Sequence, residues 1–129
     1  MSVRNLAIRI AVAGLLAMAA ALTLVVRARA QDCREGDFGC GHAEYHEQYK
    51  NWHSPYDGGS CCKNADCRPT RARQLEDGSW EAWVQGAWRH VPLRAMLEPD
   101  ILKDGRSHVC SPAYSADVIY CFSPASPKS

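Results

Sequence analysis

The positions of the seven cysteines constrain this 129-residue chain more than any other feature of its sequence. None lies in the first 30 residues, which are typical of an export signal, and all seven lie in the remaining 99. In an exported chain, this distribution favours a disulfide framework formed in an oxidising compartment. Three disulfides and one leftover thiol are the simplest count, and the spacing leaves the pairing open. The candidate disulfide residues are Cys33, Cys40, Cys61, Cys62, Cys67, Cys110 and Cys121.

Residues 1–30 carry the three parts of a signal peptide. Arg4 and Arg9 make a positively charged start, the 17 residues from Ile10 to Val26 form an apolar stretch, and residues 28–30 read ARA, a small-residue cleavage site. No twin arginine is present, so we expect Sec-type export, cleavage after Ala30 and a periplasmic or secreted product. The alternative is an uncleaved anchor, through which alone the chain would contact a membrane.

The charge balance of the mature chain argues against nucleic acid and anionic lipid as partners. The leader holds four of the 15 Lys and Arg residues and no acidic residue. Residues 31–129 therefore carry 11 basic and 14 acidic side chains, a formal net charge of −3 with both signs interspersed. A nucleic-acid-binding domain would instead show a basic patch or stripe.

The mature chain is long enough for one domain only, and its modest apolar content requires disulfide staples. We divide it into an N-terminal arm (residues 31–41), a single Cys-rich domain (residues 42–122) and a disordered tail (residues 123–129). The expected fold class is α+β, a small disulfide-stapled domain with one N-terminal helix packed on a short antiparallel β-meander.

The spacing of Tyr45, Tyr49 and Trp52 at i, i+4 and i+7 predicts a helix over residues 42–53 with an aromatic docking face. From residue 69 the pattern becomes that of strands. The runs RARQL, WEAWV and WRHVP predict a three-stranded meander, with a hairpin turn at Asp77-Gly78. A helical turn within residues 93–105 and a second strand pair, SHVC and VIYCF, are expected to follow.

Alternation along WEAWV places its two tryptophans on opposite faces of the strand. Trp80 shares a face with Val84, whereas Trp83 shares the other face with Glu81. Burial statistics favour core positions for Trp80 and Trp88. Trp83 with Glu81 is therefore the candidate contact surface of the predicted sheet, where an exposed ring could stack on a sugar or a peptide.

The predicted helix also carries histidines on one face. His42 and His46 are four residues apart, so both imidazoles can reach one metal ion, with Zn or Cu as the cofactor. His53 lies about 10 Å further along the helix axis and is too distant to join them. Neither H-E-x-x-H nor H-x-x-E-H is present, which excludes a zinc-protease motif. The competing interpretation is a solvated polar stripe without a cofactor.

The segment SCCKNADC is the densest in reactive side chains. Cys61 and Cys62 are adjacent and can bond to each other only with strain, so each is expected to meet a distant partner. Cys62 could close a small ring with Cys67, or both could bind zinc with the histidines, and export favours disulfides over a metal site. Pairing of the last two strands makes Cys110–Cys121 the first-choice disulfide.

Three segments, YKNW…GGSCCKNADCRPT, DGSWEAW…GAWRHVP and DGRSHVC…VIYCFSP, together resemble a group of small exported bacterial proteins of unassigned function. The similarity covers residues 49–124, and SCC-x3-DCRPT is its most specific part. The resemblance implies a shared framework formed by the five cysteines from position 61 onward, with Cys33 and Cys40 as additions in the arm. It also implies that one of the five is unpaired or meets Cys33 or Cys40, and it implies no activity.

These patterns favour a non-catalytic binding or structural module that contacts an envelope component or a protein partner. No nucleophile motif, phosphate loop or C-x-x-C pair is present in the sequence, so no catalytic residue is assigned. Two alternatives remain from other classes of function. One is metal binding through His42 and His46, and the other is thiol chemistry at an unpaired cysteine.

Export with cleavage predicts a mature protein that begins at Gln31. The intact mass of the protein purified from periplasm or culture medium measures this directly. A mass that still includes residues 1–30 would show instead that the leader is retained as an anchor.

Overall fold

The computed structural model describes residues 8–19, 33–62 and 65–126. The chain divides after Cys33 into two units. In the first unit, residues 8–19 form helix α1. None of the helices within the described ranges combines the length and the apolar character needed to cross a membrane. The predicted cleavage site and residues 127–129 of the predicted tail lie outside the described residues.

The second unit begins at Arg34 and contains the remaining elements. These are helix α2 (His42–Tyr49), strands β1 (Asp66–Thr70), β2 (Ala72–Gln74), β3 (Trp80–Val84) and β4 (Ala87–Val91), a 3-10 turn (Leu93–Ala95), and strands β5 (Ser107–Ser111) and β6 (Cys121–Ser123). The strands form two antiparallel sheets, with the orders β1-β5-β6 and β2-β3-β4. We call the β2-β3-β4 sheet the meander. The predicted α+β class of a small disulfide-stapled domain is confirmed.

The β1-β5-β6 sheet is the middle layer, and its two faces follow from the alternation of side chains along each strand. Val109 of β5 and Phe122 of β6 pack with Val84 of the meander in one apolar cluster. The opposite face carries a second cluster, which comprises Tyr49, Trp52, Cys61, Cys67, Cys110 and Cys121. Helix α2 and the meander therefore cover opposite faces of one sheet.

Helix α2 is shorter than predicted, but its aromatic face is the buried one. Tyr49 and Trp52 are buried and Tyr45 is half-buried, as their spacing predicted. The prediction that the helix runs to residue 53 is wrong, because it ends at Tyr49. The N–H groups of Asn51 and Trp52 bond three residues back instead of four, and this tighter pattern ends the α-helix.

Strand β1 is an element that the sequence patterns did not predict. It reads DCRPT, polar and interrupted by a proline, yet all five residues are buried. Pro69 is accommodated because β1 lies at the edge of its sheet, where a strand can lack an N–H without breaking the ladder. The buried polar groups of β1 must therefore find partners outside the ladder.

The Arg68 guanidinium is the largest of these buried polar groups, and its hydrogen bonds join the N-terminal arm to the middle sheet. It donates hydrogen bonds to the carbonyl oxygens of Gly36 (3.0 Å) and Asp66 (2.7 Å) and to Ser111 Oγ (2.7 Å). Gly36 has a φ of 87°, and a Cβ there would meet the Trp83 carbonyl oxygen at 1.9 Å. Only glycine fits this position, which anchors the arm between β1 and β3.

The predicted count of three disulfides and one thiol is confirmed. The structure pairs Cys61 with Cys121 and Cys67 with Cys110, has Cys33 and Cys40 disulfide-bonded as well, and leaves Cys62 as a free thiol. The first-choice pairing of Cys110 with Cys121 is wrong. These residues do lie opposite each other on β5 and β6, but β5 is the central strand, so Cys110 also lies opposite Cys67 on β1. The expectation of a distant disulfide partner holds for Cys61 and is wrong for Cys62.

The meander confirms the predicted alternation, but the position of one tryptophan differs from the prediction. Trp80 packs against the apolar cluster, with its ring centroid 5.9 Å from that of Phe122. Trp88 lies directly opposite Trp83 in the β3–β4 register, and the two ring centroids are 5.4 Å apart. Residues directly opposite on antiparallel strands share a face, so Trp88 lies with Trp83 on the face that points away from the apolar cluster. The expectation that Trp88 belongs to the core is therefore wrong.

We expect Arg68→Ala to lower the free energy of unfolding by about 3–5 kcal/mol, because it leaves the buried carbonyl oxygens of Gly36 and Asp66 and the hydroxyl of Ser111 without their donor and removes the cation beside the Asp66 carboxylate. Urea unfolding under non-reducing conditions measures this loss. The matched control is Arg73→Ala, which removes an ion pair to Glu81 from a half-exposed arginine and should cost no more than about 1 kcal/mol. Equal losses in the two variants would contradict the role assigned to Arg68.

Candidate functional site

Two regions of the second unit carry side chains of reactive or ligand-binding types. The first surrounds the thiol of Cys62 beneath helix α2. Cys62 Sγ lies 2.7 Å from Cys67 Sγ, and its S–H donates to the Tyr49 carbonyl oxygen at 3.4 Å. The sulfurs of Cys62, Cys67 and Cys110 all lie within 4.8 Å of one another. We call these three residues the three-sulfur cluster. Within the described residues, it is the one group of three or more Cys, His, Asp or Glu ligand atoms at such short distances.

The environment of Cys62 disfavours ionisation of its thiol. Burial, reinforced by the negative charge of Asp66, raises the pKa of the thiol, and a hydrogen bond from the Cys67 backbone opposes this only in part. Cys67 and Cys110 are joined in a disulfide, so Cys62 supplies the one titratable sulfur of the cluster. The arrangement of a thiol against a disulfide is that of sulfur exchange chemistry.

The histidine pair comes together as its spacing predicted. His42 Nε2 lies 3.0 Å from His46 Nδ1, and His42 Nδ1 lies 2.7 Å from the Cys67 carbonyl oxygen and 2.9 Å from Asp66 Oδ1. A carboxylate at one ring nitrogen orients a histidine, as it does around many metal ions. His53 is exposed and bonds within its own loop. Metal binding by His42 and His46 stays a prediction that rests on two ligand atoms.

A chain of three hydrogen-bonded side chains, two of them buried and one partly exposed, links the helix to the middle sheet. The Tyr49 hydroxyl donates to His108 Nδ1 at 2.7 Å, and His108 Nε2 donates to Asp104 Oδ2 at 3.0 Å. Burial lowers the pKa of His108, although the hydrogen bond and charge of Asp104 oppose the shift. Burial also raises the pKa of the Tyr49 hydroxyl. Both groups are therefore neutral at physiological pH, and the hydroxyl of Tyr49 and Nδ1 of His108 are hydrogen-bond partners of each other.

The second region is the outer face of the meander, which we call the arginine–tryptophan face. It consists of Arg71, Arg73, Glu81, Trp83 and Trp88. The guanidinium carbon of Arg71 lies 4.5 Å from the Trp83 ring centroid, and that of Arg73 lies 4.4 Å from the Trp88 ring centroid. Cation–π contacts at exposed sites stabilise by about 0.5–1 kcal/mol each. The two rings are thus held in fixed orientations on a solvent-facing sheet.

A cleft of about 430 Å³ opens beside this face. Its lining residues are Arg34, Glu35, Asp37, Arg71, Trp83 and Gly86. Glu35 is paired with Arg106, whereas no acidic residue in the described part of the chain forms an ion pair with Arg34 or Arg71. The cleft therefore combines one aromatic face with two guanidinium groups and two carboxylates, and within the described residues neither guanidinium forms an ion pair.

The sequence patterns identified only part of each region. Trp83 and Glu81 share the outer face, as alternation predicted, and their role as a contact surface stays a prediction. Arg71 and Arg73 were missed, although residues two apart on a strand share a face and the RARQL run offered that signal. What the run could not show is the register that sets these arginines against the tryptophans of β3 and β4. The Tyr49–His108 bond was missed because its partners are 59 residues apart.

No protein-family model, curated protein or solved structure matches the chain. The three-sulfur cluster and the arginine–tryptophan face are the two regions whose geometry supports a function. They differ in chemistry, since one presents reactive sulfur and the other presents charge and aromatic surface.

Because His108 is buried as a neutral ring, we expect mild acid to destabilise the fold. Unfolding restores the ordinary pKa of 6.5, so below that pH the unfolded chain binds a proton that the folded chain does not. As the pH falls from 6.5 toward the lowered pKa of folded His108, the free energy of unfolding should drop by up to about 1.4 kcal/mol per pH unit. The lowered pKa of Asp104 acts only below its ordinary value of 3.8, outside this window.

Urea unfolding from neutral pH to about pH 5 measures this slope. His108→Gln should flatten it, because the variant has no ring to protonate in the unfolded state. His53→Gln, at an exposed position, is the matched control and should keep the slope of the wild type. A His108→Gln slope equal to that of the wild type would contradict the assignment.

Proposed function

We propose that this chain is an exported, disulfide-stapled module that binds a protein partner in the cell envelope, and that its binding surface has no catalytic role. The observation that carries the proposal is the pair of tryptophan rings held between two guanidinium groups on the outer face of the meander. Three disulfides are typical of a protein that matures in an oxidising compartment. The charged start, apolar stretch and ARA motif of residues 1–30 support export.

The residue types of this face are those that dominate binding at protein interfaces. Truncation of Trp and Arg side chains causes the largest losses of affinity in such interfaces. Trp83 is half-buried and stacked under Arg71, so a partner that packs on its ring does not have to order it first. This preorganisation lowers the entropic cost of binding.

The partner that fits is a protein segment with an acidic side chain beside an aromatic or apolar one. The carboxylate would pair with Arg71, which has no acidic partner among the described residues. The neighbouring apolar group would enter the cleft and pack on Trp83. The two contacts are adjacent, so a short segment can make both.

A random peptide library displayed on phage and selected on the immobilised mature protein tests this proposal. The enriched peptides should contain Asp or Glu next to an aromatic or apolar residue. For a synthetic peptide of an enriched sequence, Arg71→Ala and Trp83→Ala should each raise the Kd by about 10- to 30-fold. Calorimetric titration of the peptide into each variant gives these values.

Arg94→Ala is the matched control. Arg94 is also exposed and without an ion pair in the described ranges, but it lines a different cleft with Tyr56 and Asp117. Its replacement should leave the Kd of the peptide unchanged. If the enriched peptides lack acidic residues, or bind Arg71→Ala as tightly as the wild type, the proposed partner chemistry is wrong.

A further inference from the structure

Cys62 lies against a disulfide without being part of one. Its Sγ is 2.7 Å from Cys67 Sγ, a separation shorter than an ordinary van der Waals contact between two sulfurs. Cys67 is bonded to Cys110 across the β1–β5 pair. Thiol–disulfide exchange is the attack of a thiolate on one sulfur of a disulfide, so the attacking and the attacked atoms are already in contact.

We propose that Cys62, Cys67 and Cys110 form a thiol–disulfide exchange site, in which the disulfide partner of Cys67 alternates between Cys110 and Cys62. External dithiols exchange with this site by attack on the sulfur of Cys62. This site lies on the helix side of the middle sheet. It is independent of the arginine–tryptophan face and goes beyond the binding role proposed above.

The internal step balances without any oxidant or reductant. Cys62 loses its proton to solvent base, and the thiolate attacks Cys67 Sγ. The Cys62–Cys67 bond forms as the Cys67–Cys110 bond breaks, and Cys110 leaves with the electron pair and takes up a proton. The number of disulfides and thiols is unchanged, so the step is an isomerisation.

The burial of the three residues explains why Cys62 is the entry point. Cys67 and Cys110 are both completely buried, whereas Cys62 is partly exposed. An external thiol therefore cannot reach either sulfur of the Cys67–Cys110 bond in the folded protein. After the isomerisation, one sulfur of the Cys62–Cys67 disulfide belongs to the partly exposed residue.

The external step involves a dithiol as the substrate class. One thiolate of the dithiol attacks Cys62 Sγ, and Cys67 leaves as a thiolate. The second thiol of the substrate then attacks the substrate sulfur of the mixed disulfide, which closes the oxidised substrate and releases Cys62. The substrate loses two electrons and two protons, and the protein gains them as a pair of thiols.

The scaffold can tolerate the loss of the Cys67–Cys110 bond during this cycle. Strands β1 and β5 are also joined by a five-residue antiparallel register, from Asp66 opposite Ser111 to Thr70 opposite Ser107. The Cys61–Cys121 bond separately ties the loop after helix α2 to strand β6. Exchange among the three sulfurs therefore leaves the layers of the fold in place.

Trapping variants test the internal step. In Cys110→Ala, Cys67 should form a disulfide with Cys62, whereas in Cys62→Ala the Cys67–Cys110 bond should remain. Alkylation in the native state followed by non-reducing peptide mapping identifies each bond, and retention of the Cys61–Cys121 bond shows that the variant has folded. Free thiols at both Cys62 and Cys67 in a folded Cys110→Ala protein would overturn the proposal.

Reduction kinetics of the folded protein test the external step with the variant Cys62→Ala, which removes no cysteine of a native disulfide. Dithiothreitol is the dithiol probe, and quenched samples are mapped to follow the Cys67–Cys110 and Cys61–Cys121 bonds separately. Relative to Cys61–Cys121 in the same molecule, Cys67–Cys110 should be reduced at least about tenfold faster in the wild type than in Cys62→Ala. If this ratio is the same in the two proteins, Cys62 does not relay exchange and the proposal is overturned.

Discussion

The antiparallel pairing of strand β1 with strand β5 is the constraint on which both regions of the molecule depend. It joins the edge strand β1 to the central strand β5. One face of the resulting sheet packs on helix α2, and the other packs on the meander. Strand β1 is polar, and burial of its side chains is unfavourable unless they are bonded. The backbone ladder to β5 and the buried Arg68 network hold this strand in a sheet that is covered on both sides, and the Cys67–Cys110 disulfide adds a covalent bond across the same pair.

Each of the two regions contains a side chain that the fold leaves incompletely paired. Cys62 touches a disulfide without joining it, and Arg71 stacks on Trp83 without an acidic partner in the described part of the chain. Cys62 is only partly buried where it packs against the cluster that contains Tyr49 and Cys67, and Arg71 belongs to neither core cluster. The two lie on opposite sides of the middle sheet, and a partner bound to the meander would leave the partly exposed Cys62 uncovered.

Local patterns predicted the elements well where one face meets an apolar layer. The aromatic face of α2, the meander and the outward position of Trp83 all follow from periods of 3.6 and 2 residues. Strand β1 escaped those patterns because its burial is supported by a buried arginine and a disulfide instead of apolar side chains. Trp88 was misplaced because its face depends on its register with Trp83, which the order of residues along β4 does not show.

The sequence by itself determined the oxidised framework, the count of one thiol left over, and the helical and strand periods. Those properties follow from residue type and local spacing. Only the tertiary structure decided that Cys110 bonds to Cys67 instead of Cys121. Cys110 lies on the central strand and has a cysteine opposite it on each neighbouring strand, and its sulfur can form a disulfide with only one of them. Strand order is set by contacts between residues far apart in the chain, so no local pattern could have identified Cys62 as the thiol left beside the disulfide.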